Sequence, residues 1–222
     1  MSANEIIVGH VEASVTGRYL LRAATETAAA PLLVGFHGYG EDAESILQAL
    51  MEIPGNRAWH VVSIQALNRF YNRRDGQVVA CWMTKQDRQL AIEANLAYVD
   101  RTLSALAERL EISSPRVYAG FSQGTAMAYR AAAAAGSDCH GVIALAGDVP
   151  PELAAAPAWG RPAVLIGRGT EDDWYNEGKW QNDERLLESL GSTVETCLFE
   201  GGHEWTGDFQ RRAGDFLARL LG

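Results

Sequence analysis

The chain has 222 residues, 47% of them hydrophobic and 21% charged, with 28 acidic against 19 basic side chains and a formal net charge of −9. This is the composition of a globular protein, not a disordered or fibrous one, and a chain of this length can bury a substantial core. The negative excess repels phosphate backbones and anionic lipid headgroups, which disfavours nucleic acid and membrane surfaces as partners and leaves small molecules or protein partners.

Taken in chain order, the runs Ile6 to Ala13 and Arg18 to Ala23, with Val-Thr-Gly in the turn between them, read as an opening antiparallel hairpin. The stretch from Met1 to Gly17 lacks the charged start and long apolar run of a signal peptide. Pro31 to Phe36 is a short continuous apolar run ending among glycines, which suits a strand buried on both faces. A brief helical stripe follows at Ile46, Leu47 and Leu50, then a second apolar strand at His60 to Ile64 and an irregular segment from Gln65 to Trp82. After Asp87 the spacing of Ile92, Leu96, Val99, Leu103, Leu106 and Leu110 puts all six on one face of a helix that Pro115 closes.

The second half repeats this alternation. Arg116 to Ala119 is a strand, Gln123 to Ala135 an alanine-rich helix and Gly141 to Ala146 another strand. The strand Ala163 to Ile166, a helix carrying Leu186, Leu187 and Leu190, the strand Val194 to Phe199 and a last helix with Phe209, Ala213, Phe216 and Leu220 complete the chain. Strands alternating with helices of this size predict an α/β fold: a mostly parallel sheet covered on both faces, after an N-terminal antiparallel hairpin. No linker or repeat divides it, so residues 1–222 are expected to form one domain. The proline- and alanine-rich patch Val149 to Pro162 is too short for a helical lid, which predicts an open site without a cap domain.

The three cysteines, Cys81, Cys139 and Cys197, are scattered, with no disulfide or zinc-binding pattern. The longest apolar stretches are too short to span a bilayer, so no stable membrane insertion and a cytoplasmic location are expected.

The chemistry sits in four loops. Gly120-Phe121-Ser122-Gln123-Gly124 lies between a predicted strand and a predicted helix. Such a turn strains the central residue and exposes its hydroxyl, while the glycines avoid collisions where strand and helix approach. A serine hydroxyl needs a base oriented by a carboxylate. Among the histidines, His10, His60 and His140 sit in or beside predicted strands, whereas His203, in Gly201-Gly202-His203-Glu204, follows the last strand and can swing over the sheet's carboxyl edge. Gly169-Thr170-Glu171-Asp172-Asp173 brings carboxylates to that same edge. Asp172 is the preferred acid, with Glu171, Asp173 and Asp148 as rivals. His37-Gly38-Tyr39-Gly40-Glu41-Asp42 follows the first buried strand, and the N–H groups of Tyr39 and Gln123 are the expected oxyanion donors, with His37 shaping the loop.

The order Ser122, Asp172, His203 is that of α/β-hydrolases. With His-Gly-Tyr-Gly-Glu-Asp (37 to 42), Gly-Phe-Ser-Gln-Gly (120 to 124), Gly-Gly-His (201 to 203) and Trp82 ahead of a long helix, the chain resembles the phospholipase/carboxylesterase family, which includes acyl-protein thioesterases. The resemblance spans nearly the whole chain and implies a Ser122-Asp172-His203 triad, Tyr39 and Gln123 as oxyanion donors, and hydrolysis of small-molecule esters or thioesters through an acyl-enzyme. No metal or cofactor is expected. The acid loop departs from the family pattern: Asp173-Trp174-Tyr175 stands where a Val-Pro pair is usual. Phe70, Tyr71, Trp82, Trp174 and Tyr175 are candidate substrate contacts, the first three from a segment that could partly cover the site, and Arg69, Arg73 and Arg74 could meet an anionic leaving group. The alternatives are a peptidase or amidase on the same scaffold, and a catalytically silent binding protein.

Overall fold

The computed structural model describes residues 6–25, 29–156 and 159–222. Met1 to Glu5 of the N-terminal stretch, and Pro157 and Ala158 of the proline-rich patch, lie outside them. A seven-stranded sheet runs through the molecule, built from β1 (Arg18–Arg22), β2 (Ala30–Phe36), β3 (His60–Gln65), β6 (Ile112–Phe121), β7 (Gly141–Leu145), β8 (Ala163–Gly169) and β9 (Val194–Phe199). Its order is β1-β3-β2-β6-β7-β8-β9, with every pairing parallel except the antiparallel edge β1 on β3. β4 (Asn68–Tyr71) and β5 (Val78–Cys81) form a separate two-stranded antiparallel hairpin.

The opening hairpin takes a different form from the one the sequence suggests. Residues 6–13 are exposed and carry no strand, and the antiparallel partner of β1 is β3, its Arg18 to Arg22 facing Gln65 to Val61. Ile6, Val8 and Val11 are spaced by two and then three residues, a broken alternation, and all are exposed among the described residues, whereas β1 gains more by completing the edge of the large sheet. The small hairpin falls instead inside the segment expected to be irregular.

Strand alternation divides the core. Leu32, Val34 and Phe36 of β2 and Val62 and Ile64 of β3 point to one face, where α2 (Arg88–Ala107), α3 (Gln123–Ala135) and α4 (Glu177–Ser189) pack; Leu33 and Val61 point to the other, against α1 (Ala43–Met51) and α5 (Gly207–Leu221). Of the predicted stripe on α2, Ile92, Val99 and Leu106 are buried. That helix stops at Ala107, well before Pro115, which lies inside β6. All three cysteines are free, Cys81 and Cys139 buried and Cys197 half-buried. Among the described residues no helix is long and apolar enough to cross a membrane.

Candidate active site

The loops after β2, β6, β8 and β9 meet at the carboxyl edge of the parallel sheet, where open α/β sheets place ligands. Ser122, between the last residue of β6 and the first of α3, has φ 52° and ψ −119°, a strained left-handed conformation for a residue with a Cβ. Its N–H donates to Leu145 O at 2.9 Å, pinning the turn to β7. The flanking glycines are sterically required. A Cβ at Gly120 would stand 2.4 Å from Gly124 O, and one at Gly124 would stand 2.0 Å from Phe36 O.

The two expected donors sit around this turn. In the loop after β2, Gly38 N donates to Glu41 Oε2 at 2.7 Å and Gly40 N to Ala80 O at 2.9 Å; the Tyr39 N–H between them has no acceptor among the described residues. His37 is fully buried and shapes this loop. Its Nε2 accepts from Ala66 N at 3.0 Å, which leaves Nδ1 to donate to Gly38 O at 2.7 Å, and burial pushes its pKa down, keeping it neutral. Gln123 opens α3, where backbone N–H groups have no intrahelical acceptor. Its side chain turns aside, accepting from Trp82 N at 2.8 Å and donating to Met83 O at 3.0 Å.

The acid and base loops are tied to each other. Thr170 N donates to Phe199 O and Glu171 N to Gly201 O, and a Cβ at Gly169 would strike Gly202 O at 2.3 Å, so only glycine permits this crossing. Asp172 is 2% exposed. Its Oδ1 accepts from Trp174 N at 3.0 Å and Tyr175 N at 2.8 Å, and its Oδ2 faces His203 Nδ1 at 2.8 Å. Of the rival acids, Glu171 and Asp173 are exposed and Asp148 lies 3.4 Å from Lys179 Nζ; only Asp172 meets the imidazole. The His203 ring packs on Phe121 and on the edge of Trp174, with centroids 5.0 and 5.5 Å away.

Beside Ser122 lies a cavity of about 490 Å³, walled by Tyr39, Gln123, Trp174, Asp148 and the turn Val149 to Pro151, and deepened along α3 by Thr125, Ala126 and Arg130. The candidate substrate contacts divide here. Trp174 lines the cavity and is half-exposed, with Lys179 Nζ 4.1 Å above its ring. Phe70 stacks at 5.6 Å on Tyr39 and reaches the site only through it. Tyr71, 73% exposed, does not line the cavity.

Trp82 and Tyr175 correct the sequence reading. Trp82 is fully buried, its Nε1 donating to His37 O at 2.8 Å, and Tyr175 is 1% exposed, its hydroxyl donating to Asp183 Oδ2 at 2.9 Å. Both are supports of the loops, because each buried ring must find a partner for its polar tip. Arg69 is likewise turned away, donating to Thr16 O at 2.6 Å, and Arg73 and Arg74 are exposed outside the cavity. The basic residues in the cavity are Arg88 and Arg130, which the sequence reading missed. The available signal was a lone arginine seven residues after Gln123, on the same face of a helix otherwise rich in alanine. Among the described residues no group of three His, Cys, Asp or Glu side chains could hold a metal ion.

A family model described as Phospholipase/Carboxylesterase matches residues 22–221. Among solved structures, esterase PE8 is similar at 25% identity, covering 93% of this chain and 100% of that one with a TM-score of 0.76. The Bacillus cereus carboxylesterase has 16% identity, coverage of 92% and 94% and a TM-score of 0.71. Zea mays acyl-protein thioesterase 2 has 20% identity, coverage of 93% and 100% and a TM-score of 0.68. At their identities the last two speak for the fold. No curated protein matches the chain.

Proposed function

The chain belongs to the phospholipase/carboxylesterase family, and from that premise we propose that it hydrolyses carboxylic esters or thioesters, as one hydrolase domain, through an acyl-enzyme formed on Ser122. The observation that carries this reading is a serine held at φ 52° on a glycine-flanked turn, at the same sheet edge as an imidazole bonded to a buried carboxylate. Ser122 Oγ attacks the acyl carbon while His203 Nε2 takes its proton. Asp172 fixes the imidazole with Nδ1–H toward the carboxylate and stabilises the imidazolium. The N–H groups of Tyr39 and Gln123 hold the oxyanion, a contribution of about 3 kcal/mol per donor in acyl-transfer enzymes. Collapse breaks the ester bond, and His203 returns the proton to the departing alcohol or thiol. Water then gives a proton to His203 and attacks the acyl carbon, and the acid departs as Ser122 recovers its proton.

A fluorophosphonate probe tests this directly. It should add its mass to the native protein and not to Ser122→Ala, and aryl ester and thioester turnover should vanish in the same variant. Equal labelling or equal turnover in the two proteins would refute the assignment.

A further inference from the structure

Arg130 is 5% exposed, on the cavity-facing side of α3, yet its charge is only partly answered. Nε donates to Glu152 Oε1 at 2.7 Å, Nη1 reaches only the sulfurs of Met83 and Met127 at 3.6 and 4.0 Å, and Nη2 has no acceptor among the described residues. Glu152 is shared, because Arg88 Nη2 lies 3.4 Å from its other oxygen. Two guanidinium groups therefore line the cavity around one carboxylate. The remaining acid on the wall, Asp148, has Oδ2 3.4 Å from Lys179 Nζ and Oδ1 buried without a partner among the described residues; Arg88, Arg130 and Lys179 against Glu152 and Asp148 leave this end of the cavity with a net positive charge. Burying an incompletely paired arginine is costly, and burial pushes its pKa down. Such a group is retained at little benefit to the fold but is well suited to an incoming anion, which it can grip with charge-assisted, forked hydrogen bonds.

Resting on the hydrolase reading above, we infer that the cavity selects esters or thioesters bearing an anionic group, a carboxylate or phosphate, several bonds from the scissile carbonyl, with Arg130 and Arg88 as the specificity-determining residues. The distance follows from the helix. Eight residues separate Ser122 from Arg130, about 12 Å of rise, and a helical side chain leans back toward the N-terminus. The guanidinium therefore faces the middle of the cavity and not the reacting carbon. The charge can belong to the acyl group or to the alcohol, and the two give separate arms of one experiment.

The acyl arm compares p-nitrophenyl hexanoate with mono-p-nitrophenyl adipate; the alcohol arm compares butyl acetate with the acetate ester of 4-hydroxybutanoate. In at least one pair the charged member should have a kcat/KM about tenfold or more above its neutral partner, most of it in KM, since one charge-assisted contact gives about 1.4 kcal/mol or more. That ratio should fall toward one in Arg130→Met, stay intermediate in Arg130→Lys and shrink in Arg88→Gln. Arg88 is exposed enough for its variant to fold even if the Arg130 variants do not. A ratio of one or less in both pairs for the native protein would overturn the inference and leave the hydrolase reading intact, as would a ratio unchanged in Arg88→Gln and in any folded Arg130 variant. Failure to cleave any of the four esters would instead overturn the hydrolase reading, and this inference with it.

Discussion

The start and the middle of α3 belong to the same cavity and are built on different principles. At its start, Gly120, Ser122 and Gly124 are fixed by backbone contacts: added Cβ atoms would sit 2.4 and 2.0 Å from carbonyl oxygens, and the serine takes a φ that few residues tolerate. Seven residues after Gln123, Arg130 is fixed by side chains from Met83, Met127 and Glu152, none of which imposes a backbone conformation. The start admits almost no substitution, and it is where the proposed reaction takes place. The middle can change without disturbing the turn, and it lines the cavity where the inferred remote anionic group of a substrate would bind. On the proposed function, chemistry and selectivity are thus separated along one helix.

The sharpest way to break the first region is through its partners. Asp172→Asn leaves the volume unchanged but can turn the imidazole to the wrong tautomer, so kcat should drop by about 10⁴ with little change in melting temperature, while Asp173→Asn, exposed and without contact to His203, should stay within about twofold. Steady-state kinetics on one aryl ester settles which carboxylate acts. Gly124→Ala should next cost at least about 3 kcal/mol in urea unfolding, because neither Phe36 O nor His37 O can yield without moving β2. A destabilisation under 1 kcal/mol would show that the turn is less constrained than its contacts imply.

A smaller effect is expected between the two regions. Gln123→Ala removes the clamp on Trp82 N and Met83 O while keeping the backbone N–H, so kcat should fall about tenfold with KM nearly constant. A change confined to KM would place Gln123 with the selectivity region. The smallest effect concerns the support behind the acid loop. Asp183 accepts from Val149 N and from the Tyr175 hydroxyl, and burial pushes its pKa from 3.8 to about 6. A carboxyl group whose pKa is raised by folding favours the folded state below 3.8 and loses that contribution as pH rises through about 6. Asp183→Asn should therefore gain melting temperature relative to the native protein across that interval, and scanning calorimetry at pH 4 and pH 7 checks the sign.

Much of this molecule was legible in one dimension, for reasons that particular residues make plain. β2 and β3 are continuous apolar runs because both faces of the strand are covered, and the alternation of Leu32, Leu33 and Val34 between the two cores could come from no other element. The elbow was legible because a strained turn between strand and helix permits only glycine on either side. What misled was a short apolar run without a destination. Ile6, Val8 and Val11 suggest a strand only up to Val8, and all three are exposed. Aromatic residues near the site misled in the same way, since burial decides whether Trp82 and Tyr175 touch a ligand or support a loop.

Local geometry therefore marked the candidate reaction centre in the sequence itself: the glycines, the strained serine and the loop-borne histidine obey rules spanning five residues or fewer, which a linear chain displays. Tertiary structure alone decided the partners across the chain. It chose Asp172 over its neighbours, moved the edge pairing to β1 and β3, and brought Arg88 from α2 and Arg130 from α3 around Glu152. The physical reason is that burial and charge pairing act through space between segments far apart in sequence, and no local pattern records which of them will meet.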